Sequence, residues 1–417
     1  MEKLLIEGGN RLSGEISISG MKNSALPIIF ACLLIKEECI IKNVPRVSDI
    51  FNAIEIIQGL GAEAEFCDKN VVRINAKNAT NLIKNQALVS KMRASSYLMG
   101  VFLARFGEVC INMPGGCNFG KRPIEQHLKG FRKLGANYTE YNDKIEINTL
   151  KKLESKKITL DKISVGATIN MVLASIFIDG VTVIKNCAIE PHIDDLICFL
   201  NRCGAKIFRI GRTIYSIGVK ALNGVEYTIY PDMIEALTYM CFCGICGGDV
   251  ILNKVLPTHL EYTIEIFKKM GYRIDIYNNV VHIICKNKLN GLDIITAPYP
   301  FFPTDLHPQF SALLCYTDNG GSVRDEIFPT RFAYVNELKK MGANIHLNKN
   351  IAIVDKSSLI GSKLDATDLR AGAALVAASL GANGISEINN VNYIVRGYEN
   401  IVSKITSIGG KIKMINN

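Results

Sequence analysis

The chain repeats itself six times, and that constrains its fold more than any other feature. Six segments carry a glycine after a short helix-like stretch: GLGAEAEF, KLGANYTE, RCGAKIFR, KMGYRIDI, KMGANIHL and SIGGKIKM. The glycines are Gly61, Gly135, Gly204, Gly271, Gly342 and Gly409, spaced 67 to 74 residues apart. A glycine between a helix pattern and a strand pattern reads as a helix C-terminal cap. A second feature keeps step with the first. Strand-like segments (CIIKNV, VCINMP, VIKNCA, VILNKV, SVRDEI, SEINNV) precede each glycine; Asn43, Asn186, Asn253 and Arg324 stand 18 residues before theirs, Asn112 and Asn389 23 and 20 before. A third feature is six apolar helices, expected to start near Asn23, Ser90, Ser164, Asp232, Asp305 and Thr367. They are apolar on nearly all faces, so they belong in a core. A repeat this long is no solenoid unit. It reads as an α/β module, six of them in two lobes.

The composition agrees. With 417 residues, 48% hydrophobic and 21% charged, the chain has enough apolar surface for at least two cores. The longest apolar run, residues 25–35, is about half a membrane span. The N-terminus, MEKLLIEGGN, has no signal-peptide core, so a cytoplasmic protein with no membrane partner is expected. Thirteen cysteines do not form a disulfide framework; Cys32, Cys110, Cys198 and Cys315 read as small core residues. Cys241, Cys243 and Cys246 lie in a helix-like run without histidine and read as core rather than as a metal cluster. Net charge is +9, but the basic residues are dispersed and tryptophan is absent. That fits small anionic substrates better than nucleic acid.

The polar residues at the six expected helix starts narrow this further. They are Lys22 and Asn23; Arg93; Lys162 with Ser164-Val165-Gly166; Asp232 and Glu235; Asp305; and Asp368 with Arg370. A helix N-terminus offers free N–H groups and partial positive charge to phosphates and carboxylates. Singly, Asp232, Asp305 and Thr367 read as plain N-caps, and Lys22 or Arg93 as surface charges. Together they read as walls of an anion site. A loop, MPGGCNFGKRP (113–123), adds a cysteine among glycines. Lys121 and Arg122 should lower the pKa of Cys117, and the glycines would let the loop move over an anion.

At these residues the chain resembles a known family, the UDP-N-acetylglucosamine enolpyruvyl transferases. The matching segments run over nearly the whole chain: SGMKNSALP (19–27), KMRASSYLMG (91–100), MPGGCNFGKRP, DKISVGAT (161–168), PTDL (303–306), RF (331–332), DATDLRAGAAL (365–375) and RGYE (396–399). The shikimate-phosphate enolpyruvyl transferases share the fold but lack the cysteine loop. The resemblance implies a two-lobed, inside-out α/β barrel of six βαβαββ units, three per lobe, around buried parallel helices. It implies discontinuous lobes, 1–21 with 231–417 and 22–230, and a cleft that closes on substrate. The implied reaction moves enolpyruvate from phosphoenolpyruvate to the 3-hydroxyl of UDP-N-acetylglucosamine and releases phosphate. No cofactor or metal is implied, and a monomer is expected.

Roles follow from the resemblance, residue by residue. Lys22, Arg122 and Arg396 match phosphate contacts of phosphoenolpyruvate; Arg331 and Arg370 are assigned to its carboxylate and the intermediate, with Asn23 alongside. Asp305 matches the base for the sugar hydroxyl, Cys117 the reactive cysteine that fosfomycin alkylates, and Asp368 a residue near the reacting centre. Lys22 and Arg396 also count with the catalytic set. Asn23, Arg93, Arg122, Pro123, Ile124, Glu125, Gln126, Lys162, Ser164, Val165, Gly166, Asp305 and Ile327 match contacts of the sugar nucleotide. The chain departs from the family pattern at Ile189, His192, Met233 and Val395, positions that bear on the acceptor. A paralogue with another acceptor and a non-catalytic binding protein are the alternatives.

Overall fold

The computed structural model describes residues 2–113, 124–141, 144–285 and 288–416. The chain divides into two compact units. The first comprises Met1–Ser19 and Pro231–Asn417, the second Gly20–Tyr230. Each unit has its own apolar core.

Six helices carry the cores. In the second unit these are α1 (Lys22–Ala31), α2 (Leu98–Phe106) and α3 (Val165–Ser175). In the first they are α4 (Met233–Cys246), α5 (His307–Leu314) and α6 (Leu369–Gly381). Most of their residues are buried whichever way they point, as the lack of amphipathic pattern requires. Helices α4, α5 and α6 pack on one another. Cys241 and Cys243 are buried within α4, and Cys246 is half-buried at its end.

Three helix starts differ from expectation. The second core helix begins at Leu98 rather than near Ser90, because a short helix (Gln86–Lys91) and a 3-10 turn (Arg93–Tyr97) intervene. Asp305 does not cap α5, whose N-cap is Leu306; its carboxylate is engaged elsewhere. Asp368, not Thr367, caps α6, and its side chain accepts from the backbone of Arg370 and Ala371.

Outside each core helix lies a sheet. Five sheets have four strands, an edge strand parallel to its neighbour followed by two antiparallel strands. In one, Lys157–Thr159 runs parallel to Val181–Lys185, which pairs with Thr213–Ile217 and then Lys206–Ile210. Among the described residues the sheet of the second repeat has three strands. The edge strands of two sheets come from distant sequence. Glu226–Thr228 joins Glu38–Lys42, and Ser13–Ser17 joins Asp249–Asn253. The expectation that Cys110 and Cys198 are core residues fails. Both are exposed. Cys110 points outward from Glu108–Asn112 because Val109 and Ile111 take the inner face of that alternating strand.

The six anchor glycines end six amphipathic helices in one way. Each has φ between 91° and 107°. In every repeat the glycine N–H reaches back three residues and the next N–H five, as from Gly135 to Arg132 and Ala136 to Phe131. This is the Schellman pair of bonds, which needs a left-handed residue and so favours glycine.

Candidate active site

The first unit brings Asp305, Arg331 and Arg370 together. Asp305 lies in the turn before α5, Arg331 follows the turn at 329–330, and Arg370 lies in the first turn of α6. Asp305 Oδ1 accepts from Arg331 at 2.8 Å and Oδ2 from Arg370 at 3.0 Å. Both arginines are about 5% exposed. Burial alone would raise the Asp305 carboxyl; the guanidiniums of Arg370 and Arg331, one on each oxygen, outweigh it and hold it well below the usual range. Burial disfavours the Arg370 charge, and Asp305 more than restores it.

Each arginine is held from behind. Arg370 also reaches the Tyr398 hydroxyl at 3.1 Å, and that hydroxyl contacts Thr238 and Gln309. Arg331 reaches the carbonyl and hydroxyl of Thr304, both at 3.1 Å. Asp368 supports the same cluster through the backbone of Arg370. Arg396 is half-buried two residues before Tyr398, and Ile327 is half-buried on a turn whose N–H bonds to Asp325. Two guanidiniums converging on one carboxylate give a centre with donors enough for a second anion.

The second unit assembles another group. Ser164 caps α3, its hydroxyl accepting from Ala167, so the N–H groups of Val165 and Gly166 have no partner inside the helix. Gln126 accepts from the Lys162 N–H at 3.0 Å, tying the helix Glu125–Lys133 to the segment before α3. His127 lies beneath Gly166; a Cβ there would sit 3.0 Å from the imidazole. His127 is buried and accepts from Asn170. Burial, helped by the charge of Arg93, pushes it down to about 3, so it is neutral and adds no charge below the helix start. Thus Arg93, Gln126, Lys162 and Ser164–Gly166 share one neighbourhood. Ile124 is buried as the N-cap of its helix, Glu125 is exposed and Asn23 is half-buried.

Lys22 opens α1 and pairs with the buried carboxylate of Asp49 at 2.9 Å. Asp49 was missed because an acidic residue in the first turn of a helix is unremarkable; its helix, Ser48–Gly59, has Val47 as N-cap, without a side-chain bond. Also missed were Thr238 and Gln309, which carry no sequence mark, and Thr304 and Asp325, which lie in the quoted segments PTDL and SVRDEI but were given no role there. Cys117, Arg122 and Pro123 lie outside the described residues. Of the departing positions, His192 is buried in the first turn of Pro191–Arg202, Met233 begins α4, Val395 ends a short helix, and Ile189 is half-buried.

The chain matches the family model for EPSP synthase (3-phosphoshikimate 1-carboxyvinyltransferase) over residues 6–405. It is 43% identical over 416 residues to the UDP-N-acetylglucosamine 1-carboxyvinyltransferase of Halothermothrix orenii, covering 100% of both chains. It is 44% identical over 417 residues to that of Clostridium botulinum, covering 99% of both. The chain belongs to the UDP-N-acetylglucosamine 1-carboxyvinyltransferase family. Its fold is that of the enolpyruvyl transferases. The enolpyruvyl transferase NikO from Streptomyces tendae superposes with a TM-score of 0.89 at 22% identity, covering 99% of this chain and 98% of that one. An EPSP synthase from Acinetobacter baumannii gives 0.75 at 17%, covering all of both. The inside-out α/β architecture implied by the resemblance is therefore the observed one. Among the described residues no helix is long and apolar enough to cross a membrane.

Proposed function

We propose that this enzyme transfers enolpyruvate from phosphoenolpyruvate to the 3-hydroxyl of UDP-N-acetylglucosamine, the first committed step of peptidoglycan precursor synthesis. The observation that carries the reading is Asp305 ionised between Arg331 and Arg370, in a chain of this family. Arg331 and Arg370 take the carboxylate of phosphoenolpyruvate and the charge of the intermediate. Lys22, Arg122 and Arg396 take its phosphate. Once the substrate anion shares the two guanidiniums, Asp305 loses part of their field and becomes a better base.

The sugar hydroxyl adds to C2 as Asp305 takes its proton, and C3 receives a proton from Cys117. A tetrahedral ketal results. A proton then leaves C3, the C2–O bond to phosphate breaks, and the enol ether and inorganic phosphate separate. The acceptor's diphosphate fits the N–H groups of Val165 and Gly166, with Arg93 and Lys162 beside them. Asn23, the stretch Arg122 to Gln126, and Ile327 hold the rest of the nucleotide. Asp368 keeps Arg370 in place. One chain supplies every group named, so a monomer suffices, and both substrates are cytoplasmic metabolites.

The test is phosphate release from phosphoenolpyruvate with UDP-N-acetylglucosamine, with shikimate 3-phosphate, and with no acceptor. Release with the sugar nucleotide alone, and a product heavier by the enolpyruvyl group, is expected. Release with shikimate 3-phosphate instead would reassign the acceptor, and release with neither would favour a binding role. Cys117→Ser should lose most activity, by about 10²-fold or more, and should no longer be alkylated by fosfomycin in intact-mass analysis. Full activity in that variant would remove the cysteine from the mechanism.

A further inference from the structure

Asp325 is fully buried, and the reaction as written above does not use it. It lies at the end of the strand Gly321–Asp325, in the segment SVRDEI that the repeat pattern singled out. Its carboxylate accepts five hydrogen bonds. Oδ1 takes the Thr296 hydroxyl and the N–H groups of Ile327 and Phe328, all at 2.8 Å. Oδ2 takes the Thr304 hydroxyl at 2.6 Å and His307 Nδ1 at 3.0 Å. Burial alone would raise this carboxyl; its donors, His307 first, hold it down to about 2.

Two of the donors connect to groups that the reaction does use. Thr304 precedes Asp305, and its hydroxyl lies 3.1 Å from Arg331. A guanidinium only donates and a carboxylate only accepts. The polarity of the chain is therefore forced: Arg331 donates to the Thr304 oxygen, and the Thr304 hydroxyl donates to Asp325. The same arginine nitrogen reaches Asp305 at 2.8 Å. Ile327, on the other side, sits in the turn whose amides end on Asp325. His307 is fixed by a second contact, Nε2 to the Tyr334 hydroxyl at 2.7 Å, which also meets Ser311. The carboxylate thus cannot swing without breaking contacts on four segments.

We propose that Asp325 is a positioning residue for enolpyruvyl transfer: through the Thr304 hydroxyl it fixes Arg331 against Asp305, and through two backbone amides it fixes the turn at Ile327. The proposal rests on the roles given above to Asp305, Arg331 and Ile327. The charged groups facing Asp305 are Arg331 and Arg370; Asp232 and Tyr398 face Arg370, and Asp368 and Arg331 face His307.

The link can be cut at Thr304→Val, which removes the hydroxyl and leaves Asp325 four of its donors. Thr304→Ser restores the hydroxyl, and Thr304→Ala is the second variant if valine does not fold. The valine variant should lose about tenfold or more in kcat. Its acid limb in the kcat–pH profile should move to higher pH, because Arg331 no longer stabilises the Asp305 charge as well. Serine should restore both. An independent reading is the carboxyl-carbon NMR titration of Asp305 in the substrate-free protein, assigned against Asp305→Asn. It should move to higher pH in the valine variant. An unmoved titration, or a kcat loss with no shift in the acid limb, would overturn the proposal. If the wild-type protein shows no transfer at all, the functional reading fails, while the titration still decides whether Thr304 and Asp325 position the pair.

Discussion

At the scale of single residues, the two candidate clusters use burial in opposite ways. Asp305 is kept charged in a poorly solvated place by two guanidiniums, and His127 is kept neutral by burial and by Arg93. Both choices suit an anion site. A charged imidazole under Gly166 would leave a buried proton without a partner, since Nδ1 faces the Asn170 amide. The choice has a consequence for stability. The His127 pKa falls from about 6.5 in the unfolded chain to about 3 in the fold. A depressed folded pKa gives stability that is complete above the unfolded value and is lost as pH falls towards the folded one. The loss is about 1.4 kcal/mol per pH unit, or roughly 2 kcal/mol between pH 6.5 and 5. His127→Gln should therefore lose less stability than the wild type between pH 7 and pH 5, by about that amount in urea unfolding. Equal losses in the two proteins would mean that His127 is not held neutral. None of this was legible in the sequence. His127 sits in an unremarkable helix, and the residue it packs beneath, Gly166, lies 39 positions later. The same holds for Asp305, whose partners lie 26 and 65 residues away. Its place near a helix start was readable, its role came from the resemblance, and its pairing only from the fold.

At the scale of elements, what the sequence made legible follows from what leaves a mark in it. A left-handed helix end demands glycine, so all six helix ends were visible. A buried helix start demands less. Leu98 opens α2 without a side-chain cap, and its N-terminal neighbours are a 3-10 turn that no periodicity announces. The glycine argument can be separated from packing, because around Gly135 a Cβ would meet nothing within 4 Å. Its cost as alanine would be backbone strain alone. Gly135→Ala should destabilise the protein by about 1–2 kcal/mol. Gly59, inside the helix Ser48–Gly59 and equally open, is the control. There alanine should stabilise by about 0.5–1 kcal/mol. Thermal unfolding of the two variants should thus shift in opposite directions. A downward shift in both would point to packing rather than to φ.

At the scale of the whole molecule, the repeats predict six modules but not how the chain distributes them. The second unit is one continuous stretch, Gly20–Tyr230, while the first needs residues from both ends of the chain. The strand Glu2–Glu7 completes a sheet with Ile385–Asn389 and Lys411–Asn416, a pairing across almost the full length that no local pattern can indicate. In the second unit, by contrast, every strand among the described residues has its partners inside the stretch. Its edge strand Glu226–Thr228 returns to Glu38–Lys42, and Met21 N–H donates to the Tyr230 carbonyl at 2.8 Å, which ties the two ends together. Its core residues likewise all fall between Ala25 and Ile229. A stretch with a closed set of sheets, its own core and paired ends meets the requirements for folding alone. The fragment 20–230 should therefore give a cooperative urea transition and dispersed amide resonances. The remainder should need Ser19 joined to Pro231 by a short linker. The geometry permits this, because Asp232 N–H already donates to the Ser19 carbonyl at 2.8 Å. A fragment 20–230 that stays unfolded would show that its three modules depend on the other unit. The six repeats would then be one folding unit, whatever their cores look like.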